Sequence, residues 1–233
     1  MNCDIITCRN EKEVISSLSK TIESLAKEAI DTRGVFRVGF SGGSLVKYLN
    51  TGLPTIVTEW SNWRIFFCDE RFVPVESTDS TFGTYKRDLL PFVNGLSEDQ
   101  FVKINSTLNL EECAKDYERR VVEEFQGQSP RFDLLLLGMG PDGHTCSLFP
   151  GHKLLKENVK LIAPIDDSPK PPPKRVTMTL PLIRNSKCNI YAMSGEAKKD
   201  MAERVFVKGE DLPAGMVGPT NGVFKCFVDF QIK

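Results

Sequence analysis

Histidine is nearly absent from this chain: two residues, His144 and His152, among 233. A metal hydrolase needs histidines at ligand spacing, and this pair does not supply it. The G-x-S-x-G elbow is also missing, so a serine triad lacks its turn. Cysteine is present but unpatterned. Cys3, Cys8, Cys68, Cys113, Cys146, Cys188 and Cys226 are odd in number and contain no C-x-x-C, which argues against a disulfide framework or a zinc site. In a reducing compartment they read as small buried apolar side chains. Long apolar runs are lacking too. The longest, around Leu134–Leu137, is far too short to span a bilayer. The N-terminal stretch MNCDIITCRNEKEV has Asp4, Arg9 and Glu11 and no apolar h-region. The final DFQIK carries no lipidation or retention signal. The expectation is a cytoplasmic protein without a membrane partner. Charge of one sign is not in excess: 30 Lys and Arg face 31 Asp and Glu. A nucleic-acid partner is therefore not expected, and any cationic site must be local.

What is there reads as α/β. Residues Glu11–Asp31 place Val14, Leu18, Ile22, Leu25, Ala26 and Ala29 at helical spacing, with Gly34 as the stop. Strands are predicted at Val35–Phe40, Trp63–Glu70, FVKI, FDLLLL, VKLIAPI, RVTMTL, CNIYAM and GVFKCFVDF. Helices alternate with them at Ser44–Asn50, TYKRDLL, the segment from Asn109 to Gly127, and GEAKKDMAERVF. FDLLLL, apolar without a break, suits a central parallel position. Residues 1–233 read as one α/β domain with a mostly parallel sheet and right-handed crossovers.

Ligands of such folds bind beyond the carboxyl ends of the strands. Three polar clusters directly follow predicted strands: Ser41-Gly42-Gly43-Ser44, Asp69-Glu70-Arg71, and Gly138 to His144. If those strands are neighbours, the clusters share one rim. Ser41–Ser44 can form an anion-binding nest at a helix start, or a plain tight turn. Arg71 can grip a phosphate, or pair internally with the acids beside it. Farther on, Arg175 after a Pro-rich turn and Lys198 near a helix start could reach the same anion. Lys199 reads as a surface charge.

Gly138-Met139-Gly140-Pro141-Asp142-Gly143 formally matches the dinucleotide fingerprint G-x-G-x-x-G. That reading needs a long helix after the glycines. Pro150-Gly151 interrupts any helix there, Pro141 removes an N–H from the turn, and Asp166 is too distant to serve as the ribose acid. The competing reading is a turn that displays Asp142 and His144. A neutral imidazole can take a proton from water, a carboxylate can fix its tautomer, and glycine N–H groups can meet an oxyanion. Either residue could equally be structural, Asp142 as a turn-former and His144 as a hydrogen-bonded histidine. His152 reads as a loop histidine.

The segments FSGGS, CDERFVPVESTDSTFGTYKRDLLP, FDLLLLGMGPDGHTCSLFPGH, SPKPPPKRVTMTLPLI and SGEAKKDM, in that order, make the chain resemble the 6-phosphogluconolactonases of animals. The resemblance runs over nearly the whole length. It implies the Rossmann-like fold shared with glucosamine-6-phosphate deaminases. It implies hydrolysis of 6-phospho-glucono-1,5-lactone to 6-phosphogluconate, the second step of the oxidative pentose phosphate pathway, with no cofactor and no metal. A monomer or a weak dimer is expected. Carried over by position, His144 is the general base and Asp142 orients it. Ser41, Gly42, Gly43 and Ser44 lie near the sugar phosphate, and Gly140 and Gly143 lie at the substrate. Arg71, Arg175 and Lys198 are the substrate cations. Asp69 matches an acid that moves protons in the deaminases. Two departures stand out: Ser80-Thr81 where many bacterial relatives have Ser-Asn, and Cys146 where alanine is common. Three other readings remain: a deaminase or isomerase using Asp69, a non-catalytic sugar-phosphate sensor, and an NAD oxidoreductase.

Overall fold

The first helix begins where Asn10 turns its side chain back to accept the Glu13 N–H at 3.0 Å. In the computed structural model, which describes residues 3–232, it follows a short strand, β1 (Asp4–Thr7), and runs as α1 (Glu11–Arg33). Its stripe of Val14, Leu18, Ile22, Ala26 and Ala29 is buried, and Gly34 stops it at φ 70°. The chain continues through β2 (Phe36–Phe40), α2 (Ser44–Gly52), β3 (Trp63–Phe67), β4 (Asp69–Arg71), α3 (Thr81–Asp88), β5 (Phe101–Val102) and α4 (Leu110–Glu124). Then come β6 (Leu134–Leu137), β7 (Ile162–Ile165), β8 (Arg175–Met178), α5 (Leu180–Arg184), β9 (Cys188–Met193), α6 (Lys199–Phe206) and β10 (Val223–Val228).

Seven strands form a parallel sheet in the order β1-β10-β9-β6-β2-β3-β5. The central β6 is wholly buried, as its unbroken apolar run requires. Leu134 and Leu136 point into one core with α1, α2 and α3. Leu135 and Leu137 point into the other with α4, α5 and α6. The mostly parallel α/β architecture is as the pattern implies. Among the described residues no helix is long and apolar enough to cross a membrane.

Two expectations need correction, and one strand was not expected. Trp63–Glu70 is not one strand. It breaks at Cys68, whose N–H donates to Phe40 O and whose carbonyl accepts from Met178 N, both at 2.8 Å. One residue between strands thus bonds to both sheets, and β4 enters a second, antiparallel one, ordered β4-β8-β7. The strands at VKLIAPI and RVTMTL lie in this small sheet and not in the parallel one. The edge strand β1 has no sequence signal: four residues, only partly buried, carry too little pattern. The useful expectation concerned neighbours, and β6, β2 and β3 do lie side by side. Their carboxyl ends therefore share one rim.

The opposite end of the sheet is pinned by Asp133. Its carboxylate accepts from Arg37 N at 2.9 Å, Arg33 Nη2 at 2.6 Å and Lys187 Nζ at 2.7 Å. Replacement by alanine removes the acceptor of a part-buried N–H and of two half-exposed cations. Asp133→Ala is expected to cost about 2 kcal/mol in denaturant unfolding. A loss under about 0.5 kcal/mol, typical of surface changes, would show that these contacts do not stabilise the sheet.

Candidate active site

A cleft of about 190 Å³ opens where β2, β3 and β6 end. Ser41, Gly42, Gly43 and Ser44 form one wall. Asp69 and Arg71 of β4 face them, and Gly138, Met139, Gly140 and His144 form the floor, with Cys146, Arg175 and Lys198 completing the lining. A larger groove of about 550 Å³ lies beside the starts of β2 and β3. There Arg37, Arg64 and Arg120 are matched by Asp99, Glu123 and Glu124, so it concentrates no charge.

The Gly138–His144 segment is a closed turn. Gly140 N–H donates to His144 O at 2.8 Å, and Gly143 N–H donates to Gly140 O at 3.0 Å. Thr145 Oγ1 donates to Gly138 O at 2.9 Å. Single bridges, Met139 to Thr145 and Thr145 to Leu148, replace the helix a dinucleotide fingerprint requires. The oxidoreductase reading fails on that point. The Gly140 and Gly143 N–H groups are both used within the turn, so neither is a free donor for an oxyanion.

Within this turn His144 Nδ1 and Asp142 Oδ1 are 2.5 Å apart. A carboxylate can only accept, so the proton sits on Nδ1 and Nε2 keeps its lone pair. Phe149 packs on the ring at 4.7 Å between centroids. Burial pushes the imidazole below the ordinary histidine value, against the hydrogen bond to Asp142, which acts to raise it. Burial also acts to raise the Asp142 carboxyl, but the hydrogen bonds from His144 and Lys170 prevail and bring it down to about 2. The rest state is therefore carboxylate plus neutral imidazole. Asp142 and Gly143 stand behind His144 and do not line the cleft.

The cations differ in how committed they are. Arg71 does not pair with its acidic neighbours. Glu70 instead accepts from Thr81 N, Phe82 N and Arg71 N, each at 2.7 Å, and so anchors the start of α3. Asp69 accepts Ser147 Oγ at 2.7 Å and lies 3.8 Å from Arg175 Nη1. Arg175 lines the cleft but is buried, with Nε donating to Pro172 O and Nη2 to Lys170 O and Pro171 O. Only Nη1 is left, facing Asp69. Lys198 Nζ donates to Met139 O at 2.8 Å, and burial lowers its pKa. Lys199 lies toward Glu196 at 3.9 Å, away from the cleft. His152 caps the turn after it and meets Asp167 at 3.0 Å.

The Ser41–Ser44 loop leads into α2, whose first N–H groups have no intrahelical acceptor. Ser41 Oγ is buried without a partner, and the Ser41 carbonyl is held by Tyr85 Oη at 2.8 Å. Of the two departures, Thr81 stacks beside Gly42 and Cys146 sits in the lining. Sequence reasoning missed Lys170, whose Nζ lies 3.0 Å from Asp142 Oδ1. Its only signal was a place in the Pro-rich turn SPKPPPK, which also holds Lys174.

A parallel α/β sheet with an Asp–His pair and several cations around a small polar cleft is the equipment of an enzyme for a small anionic substrate. Comparison with known proteins specifies the group. Residues 9–226 match the family model of glucosamine-6-phosphate isomerases/6-phosphogluconolactonase, and the chain belongs to that family. A human protein named 6-phosphogluconolactonase is 46% identical over 84% of this chain and 79% of its own length. A rat protein of the same name is 43% identical over 94% and 88%. The crystal structure of a 6-phosphogluconolactonase from Thermotoga maritima superposes with a TM-score of 0.84, covering 97% of this chain and all of its own, and at 23% identity it speaks to the fold. One from Shewanella baltica gives 0.83 at 25% identity, covering 97% and 98%.

Gly140 has a steric role. A Cβ there would overlap the His144 ring and crowd Asp142 Oδ1, whereas its backbone conformation is open to any residue. Gly140→Ala should therefore displace the imidazole without backbone strain. The expected result is a turnover loss of roughly 10²-fold with near-normal thermal stability. Full turnover in this variant would mean that the ring position is not critical.

Proposed function

We propose that this chain hydrolyses 6-phospho-D-glucono-1,5-lactone to 6-phosphogluconate, the second step of the oxidative pentose phosphate pathway. It acts in the cytoplasm as a single domain over residues 1–233, as a monomer or weak dimer, without cofactor or metal. The observation that carries the reading is the Asp142–His144 pair set at a cationic cleft, in a chain whose relatives bear the lactonase name.

A lactone is an activated ester, so no covalent nucleophile is needed. Arg71, Lys198 and the Ser41–Ser44 loop hold the phosphate, with the unpartnered Ser41 Oγ as one donor. This places C1 beside His144. Nε2 takes a proton from water as the water oxygen bonds to C1, and the carbonyl electron pair moves onto oxygen. The Gly140 and Gly143 N–H groups, engaged within the turn, do not meet this oxyanion. Collapse breaks the bond from C1 to the ring oxygen, which receives the proton from the imidazolium. Arg175 holds the loop at residues 170–172, and Asp69 is held by Ser147.

His144→Ala is expected to lose roughly 10²–10⁴-fold in kcat while staying folded. The assay is proton release from fresh lactone, with spontaneous opening subtracted. Near-full activity in the variant would remove His144 as the base. Ammonia release from glucosamine 6-phosphate would hand the site to the deaminase reading, and saturable 6-phosphogluconate binding without turnover to the sensor. The pH dependence follows from the direction of the His144 shift. A histidine base loses activity as pH falls through its pKa. Because burial lowers that pKa, the acid limb of kcat/KM is expected below about 6.5, the ordinary value. A limb above it would contradict the neutral rest state.

A further inference from the structure

The Asp142 carboxylate is shared. Its Oδ1 lies 2.5 Å from His144 Nδ1 and 3.0 Å from Lys170 Nζ. Lys170 Nζ is also 3.3 Å from His144 Nδ1. With the proton on Nδ1 that second approach is donor against donor, so the ammonium binds the carboxylate and not the ring. Neither Lys170 nor Asp142 lines the cleft. We infer that Lys170 is a positioning residue: it divides the Asp142 charge with His144 and so offsets the pull of that carboxylate toward imidazolium. This rests on the reading of His144 as the base.

The ammonium is placed by a built support. Ser168 Oγ donates to Lys170 O at 2.8 Å and accepts from Lys170 N at 3.2 Å. The buried Arg175 guanidinium donates to the carbonyls of Lys170, Pro171 and Pro172. Three successive carbonyls on one buried cation fix the loop from beneath.

The charges around His144 come from several elements. Asp142 is on its own turn, Asp69 and Arg71 are on β4, Arg175 is on β8, and Lys198 precedes α6. Lys170 comes from the loop before β8, and Phe149 adds an uncharged ring. Asp142 favours imidazolium, and burial of the ring opposes it. The Lys170 charge opposes it as well. It also makes the imidazolium formed during the reaction a stronger acid toward the departing ring oxygen.

With only two histidines, both imidazoles can be followed by nitrogen-detected NMR titration without substrate. His152→Asn assigns the signals, and His152 in the remaining proteins serves as an internal reference. In Lys170→Met the His144 midpoint is expected to move to higher pH, in Lys170→Arg to stay near wild type, and in both the His152 midpoint to stay fixed. An unmoved His144 midpoint in Lys170→Met overturns the inference, as does an equal movement of His152. In lactone hydrolysis, the acid limb of Lys170→Met should shift upward with His144 at unchanged KM. A KM raised roughly tenfold with no shift of the limb would make Lys170 a substrate ligand instead. If wild type turns over no lactone, the proposed function fails, while the titration still decides the role of Lys170.

Discussion

One carboxylate oxygen organises the chemistry. Asp142 Oδ1 receives the Nδ1 proton of His144 and the ammonium of Lys170, and these two bonds bring its pKa down to about 2 against partial burial. The tautomer, the ring orientation and the lone pair on Nε2 all follow from that contact. The turn around it is shaped to permit it. Gly140 leaves room for the ring, and its N–H closes the turn on His144 O.

The rest of the cleft depends on a crossing of sheets. Cys68 bonds to Phe40 in the parallel sheet and to Met178 in the antiparallel one. The chain can therefore leave the main sheet between Phe67 and Asp69 and hang Asp69 and Arg71 over the rim. β8 returns Arg175 opposite them, in register with Arg71. Arg175 then meets Asp69 on one side and the 170–172 carbonyls on the other. The small sheet is thus the frame that brings Lys170 to Asp142.

Positive charge is concentrated here, in a chain with almost no net charge. Lys198 is held at the cleft by Met139 O, and Arg71 is left to the cleft because the acids beside it are taken. Glu70 is occupied by the α3 backbone, and Asp69 by Ser147 and Arg175. Buried acids elsewhere do the opposite. Asp133 draws Arg33 and Lys187 into the base of the sheet and away from ligands. Specific pairing, more than net charge, decides which cations can meet an anion.

Much of this was legible in the sequence because it is local or periodic. The α1 stripe, the β6 run and the stops at Gly34 and Pro150 depend on residues close in the chain. So does the Asp142-Gly143-His144 turn, whose short spacing allows the two side chains to meet. Resemblance to a family added the chemistry. What the sequence left open depends on contacts across long separations. The break at Cys68 is decided by Phe40 and Met178, the fate of Arg71 by Thr81 and Phe82, and the place of Lys170 by Asp142, 28 residues away. Turn chemistry and hydrophobic period act within a few residues, so they determined the elements and the Asp–His pair. Which cation is free, which is tied and which leans on the Asp–His pair is settled only when distant strands pack, because a charge answers to its nearest neighbour in space.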